Sequence, residues 1–130
     1  EWSARAGTTT ATYGGNLQAP YYCESQPNLN GIAWYCGSSG DRTQAVGGKT
    51  ANAYGLRDML GNVWEWTTDW FLESHPSGTD PVVSAGSGYR VLRGCGWSNP
   101  AGDCRAARRS WVTADYRLSG VGFRLSRSLP

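Results

Sequence analysis

The most reactive side chains in this sequence are Cys23, Cys36, Cys95, Cys104 and the single histidine, His75. Paired thiols can close disulfides, cycle as a redox couple or hold a soft metal. Four cysteines allow three pairings, which sequence cannot separate. Cys23 lies near Cys36, and Cys95 near Cys104 within RGCGWSNPAGDC. Two short bridges would suit a loop-rich domain in an oxidising compartment, secreted or surface-exposed. Free buried thiols are the alternative, and a Cys95–Cys104 redox pair a third reading. Zinc is disfavoured, because no CxxC occurs and one histidine is present. His75, in ESHPSG, lacks the Ser or Cys context of a catalytic triad. No phosphate loop is present, and GYRVLRGCG lacks dinucleotide-site spacing.

The charged residues are unevenly placed. The net charge is +2, yet residues 1–89 carry four basic and eight acidic side chains, and residues 90–130 carry eight Arg against Asp103 and Asp115. The arginines stand singly among Gly, Trp and Ala. This argues for pairing and ring stacking over a nucleic-acid track, because the planar guanidinium tolerates burial.

These residues need a scaffold. The 130 residues fit one domain, with 18 Gly, 6 Pro and 7 Trp but only 2 Phe, an irregular chain pinned by a few large rings. No apolar run approaches the ~20 residues of a membrane span. Residues 1–6 read as the end of a helix stopped by Gly7, and EWSARAG as a chain cut from something longer. Residues 8–31 read as loop. A short strand or turn is expected around 33–36, and one or two helical turns in AYGLRDML, 53–60. NVWEWTTDW alternates, with Val63, Glu65, Thr67 and Asp69 on one face and Trp64, Trp66, Thr68 and Trp70 on the other, a strand with one aromatic face. Residues 74–88 read as loop, 89–94 and 121–127 as strands, and 104–111 as ambiguous. The sum is an α+β domain of short strands and long ordered loops, which ions or bridges often fasten.

EWSARAGTTT, AYGLRDMLGNVWEWTTDW, YRVLRGCGW, CRAARRS and VGFRL occur in the order and spacing of the formylglycine-generating enzyme family. The chain thus resembles the sulfatase-modifying-factor domain, a variant of the C-type lectin fold, along its whole length. The resemblance implies a single domain, 1–130, whose N-terminal strands and first helices would precede EWSARAG.

It also implies a calcium site, with the Asp58 side chain, the carbonyls of Leu60, Gly61 and Val63, and the Glu65 carboxylate as ligands. The chemistry is reasonable by itself: calcium takes six to eight hard oxygens, and a glycine-bearing turn can aim several carbonyls at one point. The alternative is an Arg partner for Glu65 and no ion.

Formylglycine-generating enzymes oxidise a substrate cysteine with a copper-binding cysteine pair five positions apart. Here Cys95 and Cys104 stand nine apart, with Cys95 inside the RGGSW-like element. The departure argues against that oxidase.

The 89–130 segment also resembles the variable, ligand-binding proteins of diversity-generating retroelements. In that reading YRVLRG, Trp97, CRAA, ADYR and VGFRL form a framework. Ser98, Asn99, Gly102, Asp103, Arg108, Ser110, Trp111, Val112, Thr113, Tyr116, Leu118, Ser119 and Gly120 form the variable, ligand-binding set. Trp, Tyr and Arg in irregular loops are the composition of binding surfaces. The expected partner is a protein or other macromolecular surface, with Trp64, Trp66, Arg93, Trp97 and Phe123 supporting one display face from beneath. The alternative is an unspecialised structural or binding domain of the family. SQPNLN (25–30) faintly echoes the sugar-binding EPN and QPD motifs of calcium lectins, in the wrong part of the fold.

Overall fold

The computed structural model describes residues 1–18, 22–74, 77–78, 81–86 and 88–126. His75, Arg127 and parts of the 74–88 loop lie outside the described residues. Helix α1, Trp2–Arg5, ends as expected, but Ala6 at φ 47 takes the left-handed cap ahead of Gly7. Helix α2, Pro27–Asn30, falls where loop was expected. Pro27 at its first position is the missed start signal, since its fixed φ suits a helix and its absent N–H costs nothing there.

One sheet carries the fold. It contains β1 (Trp64–Trp70), β2 (Tyr89–Arg93), β3 (Ser110–Thr113) and β4 (Val121–Gly122), in the order β3-β2-β1-β4. β1 pairs antiparallel with β2 and parallel with β4, and β2 pairs antiparallel with β3. Glu65 faces Arg93 and Trp66 faces Leu92, but Trp70 faces Arg90, so β1 slips its register before its end. A short 3-10 turn, Ala101–Cys104, resolves the ambiguous 104–111 stretch together with β3.

Three expected elements are corrected. Residues 33–36 form turn and coil, not strand. Residues 53–60 form no helix: the Asn52 side chain accepts from the N–H groups of Tyr54 and Leu56, and Gly55 and Asp58 both adopt positive φ. The positive φ values break any right-handed helix, and the Asn52 side chain holds the turn that forms instead. The C-terminal strand stops at Gly122 and not at 127; Phe123 is 74% exposed, so it supports nothing from beneath.

The core lies beside the sheet, built from Leu29, Ile32, Ala33, Tyr35, Leu60, Ala101, Cys95 and Cys104, with Trp64 packed against it. Tyr35 is fully buried, and its hydroxyl binds the Gln26 N–H, the Glu24 carbonyl and Asn30 Oδ1. That ring ties α2 to the turn that follows it, and the satisfied hydroxyl removes the penalty of burying a polar group. The result is mixed α+β with little regular structure, short strands joined by long ordered loops.

Candidate functional site

Of the three cysteine pairings, the two local ones are formed, Cys23–Cys36 and Cys95–Cys104. Cys95 and Cys104 are fully buried in the core cluster. Both thiols of the RGCGWSNPAGDC segment are therefore consumed in a covalent staple that closes the 98–103 loop.

The display set divides at β3. Ser110 and Val112 are half-buried, whereas Trp111 and Thr113 are exposed. Successive side chains of a strand leave on opposite faces, so this set forms two surfaces and not one. Ser110 and Val112 join Trp64, Leu92, Trp97, Tyr116 and Leu118 around a groove of about 280 Å³. Ser98, Ser119 and Gly120 also line it, and no charged residue does among those described. Tyr116 is 41% exposed and Leu118 56%. Trp64 and Trp66, expected to support the display face from beneath, are half-buried, because groove and solvent reach their outer edges.

On the opposite face Trp111, 49% exposed, stacks on Phe71 with ring centroids 4.1 Å apart. The Arg109 guanidinium lies over Phe71 at 5.2 Å. With Arg105, Arg108 and Glu73 they line a trough of about 400 Å³. Phe71, Arg105 and Arg109 were missing from the sequence-derived set. Arg109 stands two before Trp111 (same-face spacing in an extended chain), a signal that could have found it; Phe71, just past β1, carried none.

Arg93 positions this trough. It donates to the carbonyls of Ala106, Ala107 and Arg108 at 3.4, 3.0 and 3.1 Å, pinning to β2 the segment that bears Arg105 and Arg108. Burial pushes its pKa down from the ordinary value, partly countered by Glu1, yet a guanidinium stays charged at neutral pH.

Asn99, Gly102, Asp103 and Arg108 of the display set also brace the scaffold. Asn99 Oδ1 accepts from Trp64 Nε1 at 2.8 Å and from the Gly96 N–H at 3.1 Å. Its Nδ2 donates to Asp103 Oδ2 at 3.1 Å, and Asp103 Oδ1 pairs with Arg108 Nε at 3.0 Å. The Gly102 carbonyl accepts from Arg105 Nε at 2.9 Å. Gly102, Asp103 and Arg108 also border a third cleft, of about 470 Å³, against Ala11, Asn16 and Leu17.

At the 58–65 turn the expected ligands are partly spoken for. Glu65 accepts from Arg124 Nε at 3.2 and 3.1 Å and from Nη2 at 3.0 Å, and that Nη2 also donates to the Asp58 carbonyl at 2.8 Å. Asp58 Oδ2 accepts from the Gly47 N–H at 2.5 Å, while Asp58 Oδ1 is buried without a hydrogen-bond partner among the described residues. Leu60 is buried in the core. Gly61, at φ +84, lies so close to the Trp34 backbone that a Cβ would collide with it. Among the described residues no three His, Cys, Asp or Glu side chains gather, so a hard cation here would draw on carbonyls such as those of Leu60, Gly61 and Val63.

Comparison with known proteins agrees with this architecture. Treponema denticola variable protein 1 superposes with a TM-score of 0.81 at 35% identity, covering 94% of this chain and 42% of that chain. The formylglycine-generating enzyme of Mycobacterium tuberculosis is 43% identical over 151 positions, covering 95% of this chain and 47% of that protein. Serine/threonine-protein kinase pkn1 of Chlamydia caviae is 34% identical over 128 residues, covering 92% of this chain and 19% of that protein. The chain thus spans less than half the length of each of these relatives. Residues 1–129 match the sulfatase-modifying factor enzyme 1-like domain, and with the sheet, the GNVWEW turn and the buried bridge in place, the chain belongs to that family.

Proposed function

We propose that this domain is a non-catalytic ligand-binding module that displays residues 98–120 on a rigid scaffold, as the variable proteins of diversity-generating retroelements do. The observation that carries the reading is the contrast within one segment. Trp111, Tyr116 and Leu118 are exposed, while the backbone beneath them is held by the Cys95–Cys104 bridge, the Asn99 contacts and the sheet. Rigid aromatic anchors on a fixed frame bind at low entropic cost. The likeness to Treponema denticola variable protein 1 supports the same reading. Two closed, buried thiols give no support to a copper-thiolate oxidase, which needs accessible thiolates. The bridges fit an oxidising, secreted or surface location.

The test is a library randomised at Ser98, Ser110, Val112, Tyr116, Leu118 and Ser119. Most variants should remain folded, and selection against an arbitrary protein target should yield binders. Widespread unfolding would reject the reading and leave an unspecialised family domain. At the gene, a neighbouring reverse transcriptase and a near-copy of the codons for 90–125 differing at adenines would support it.

A second reading concerns the turn. The unpartnered, buried Asp58 Oδ1 favours a calcium ion held by Asp58 and the carbonyls of Leu60, Gly61 and Val63, with Glu65 reached once Arg124 yields it. Such an ion would stabilise the turn by compensating that carboxylate. A calcium titration followed by thermal melting tests it; a melting temperature indifferent to calcium and to EGTA would reject it.

A further inference from the structure

We infer that the outer edge of β3 is the docking site for an extended polypeptide strand of a partner, one whose side chains alternate between acidic and uncharged apolar. The inference rests on the display reading above and names the ligand class of that surface. Three independent observations meet at this edge.

The first is the edge itself. β3 ends the sheet, with β2 on one side only. Among the described residues, the single backbone bond reaching 110–113 from outside the sheet is the Tyr116 N–H to the Thr113 carbonyl. A strand with free backbone groups is a template for another strand, and peptide recognition by strand addition uses it.

The second is the character of the two surfaces flanking the edge. A strand added beside β3 would place alternate side chains over alternate faces. On the Trp111 face they meet Arg105, Arg108 and Arg109 beside the stacked Phe71–Trp111 pair. Arg108 is matched by Asp103, and among the described residues Arg105 makes only the bond to the Gly102 carbonyl. That face therefore fits carboxylates carried on short apolar stems. On the Val112 face they meet Val112 and the exposed Tyr116 and Leu118, with no charge among the described residues of the groove. That groove fits aliphatic or aromatic side chains, which its apolar walls would desolvate.

The third excludes a competing macromolecule. A nucleic-acid backbone repeats its charge at every nucleotide and cannot alternate a charged group over the arginine trough with an apolar one over the uncharged groove. It would also leave the free backbone edge unused. Main-chain pairing together with alternating chemistry on the two faces belongs to a polypeptide.

The experiment uses four fluorescein-labelled probes on the oxidised protein: a ten-residue peptide alternating Glu and Val, the same composition in two blocks, an alternating Lys and Val peptide, and ten-nucleotide oligothymidylate. Binding is read by anisotropy, and the edge by amide hydrogen exchange at 110–113. We expect the alternating acidic peptide to bind at least 10-fold tighter than the other three and to slow exchange at β3. Trp111→Ala and Arg105→Glu, both at exposed positions, should each weaken it about 10-fold with unchanged melting. Equal binding of the block peptide or the oligonucleotide would overturn the inference in favour of a plain basic patch, and so would unchanged exchange at 110–113. If the library selection succeeds while the alternating peptide fails, the display reading stands and strand docking alone falls.

Discussion

Asn99 Oδ1 accepts a hydrogen bond from Trp64 Nε1 at 2.8 Å, joining the variable-looking loop to the aromatic strand. Sequence placed these two residues in opposite roles, one displayed and one supporting. The structure makes them a single latch. Asn99 also holds the Gly96 N–H and Asp103, so the same amide fixes the RGCGW turn and the acidic partner of Arg108.

The latch sets the first prediction. Asn99→Ala leaves a half-buried indole N–H and a backbone N–H without their acceptor, which should cost about 1–3 kcal/mol. Trp111→Ala should change stability by less than about 1 kcal/mol, since half of that ring is already in water. Chemical denaturation of the two variants checks this ordering, and equal losses would contradict it.

The bridges should differ in accessibility. Cys95 and Cys104 are fully buried while Cys23 is exposed. Thiol exchange needs an approachable sulfur. Graded reductant with alkylation and mass spectrometry should show Cys23–Cys36 opening first. Replacing Cys95 and Cys104 by Ala should cost about 2–3 kcal/mol.

Tyr13 gives the protein an alkaline limit. Burial, reinforced by the Asp58 charge and opposed by Arg57, raises its pKa from 10.0 to about 12, and the hydroxyl donates to the Thr50 carbonyl at 2.8 Å. A raised folded pKa means that the native state keeps a proton the unfolded chain releases. Its contribution is therefore complete below pH 10 and lost as pH rises towards 12. Lys49 acts oppositely: burial lowers its pKa below 10.5, so its penalty is relieved as pH rises up to that value. Tyr13→Phe should flatten the decline between pH 10 and 12, as followed by fluorescence-detected melting.

The turn proposal predicts a calcium-dependent melting temperature. EGTA should lower it, added calcium should raise it, and Asp58→Asn should remove most of that increment by weakening the oxygen set. A calcium response unchanged in Asp58→Asn would place the ion elsewhere.

The closed thiols predict no oxidase. A sulfatase-type cysteine peptide incubated with the oxidised protein and copper should show no aldehyde product by mass spectrometry. Copper-dependent turnover abolished by Cys95→Ser would contradict this.

The sequence by itself determined the family, the alternation of β1, the strand at 89–93 and the kinds of residue that reach solvent. Those follow from period, spacing and side-chain size, which are properties of neighbours along the chain. The cysteine pairing was left open by sequence, because three pairings have the same composition and only the fold brings particular sulfurs together. The helix expected at 53–60 failed because Gly55 and Asp58 turn to positive φ, which a right-handed helix cannot contain. Glu65 found Arg124 across 59 residues of sequence, a partner that no local pattern marks. The single expected display face became two because β3 lies flat at the sheet edge, and a strand's period of two divides its neighbours between an uncharged groove and an arginine trough. That Trp111, Tyr116 and Leu118 reach solvent was legible in the chain; which residues share a surface was decided by the sheet, since adjacency across strands comes from register and not from order.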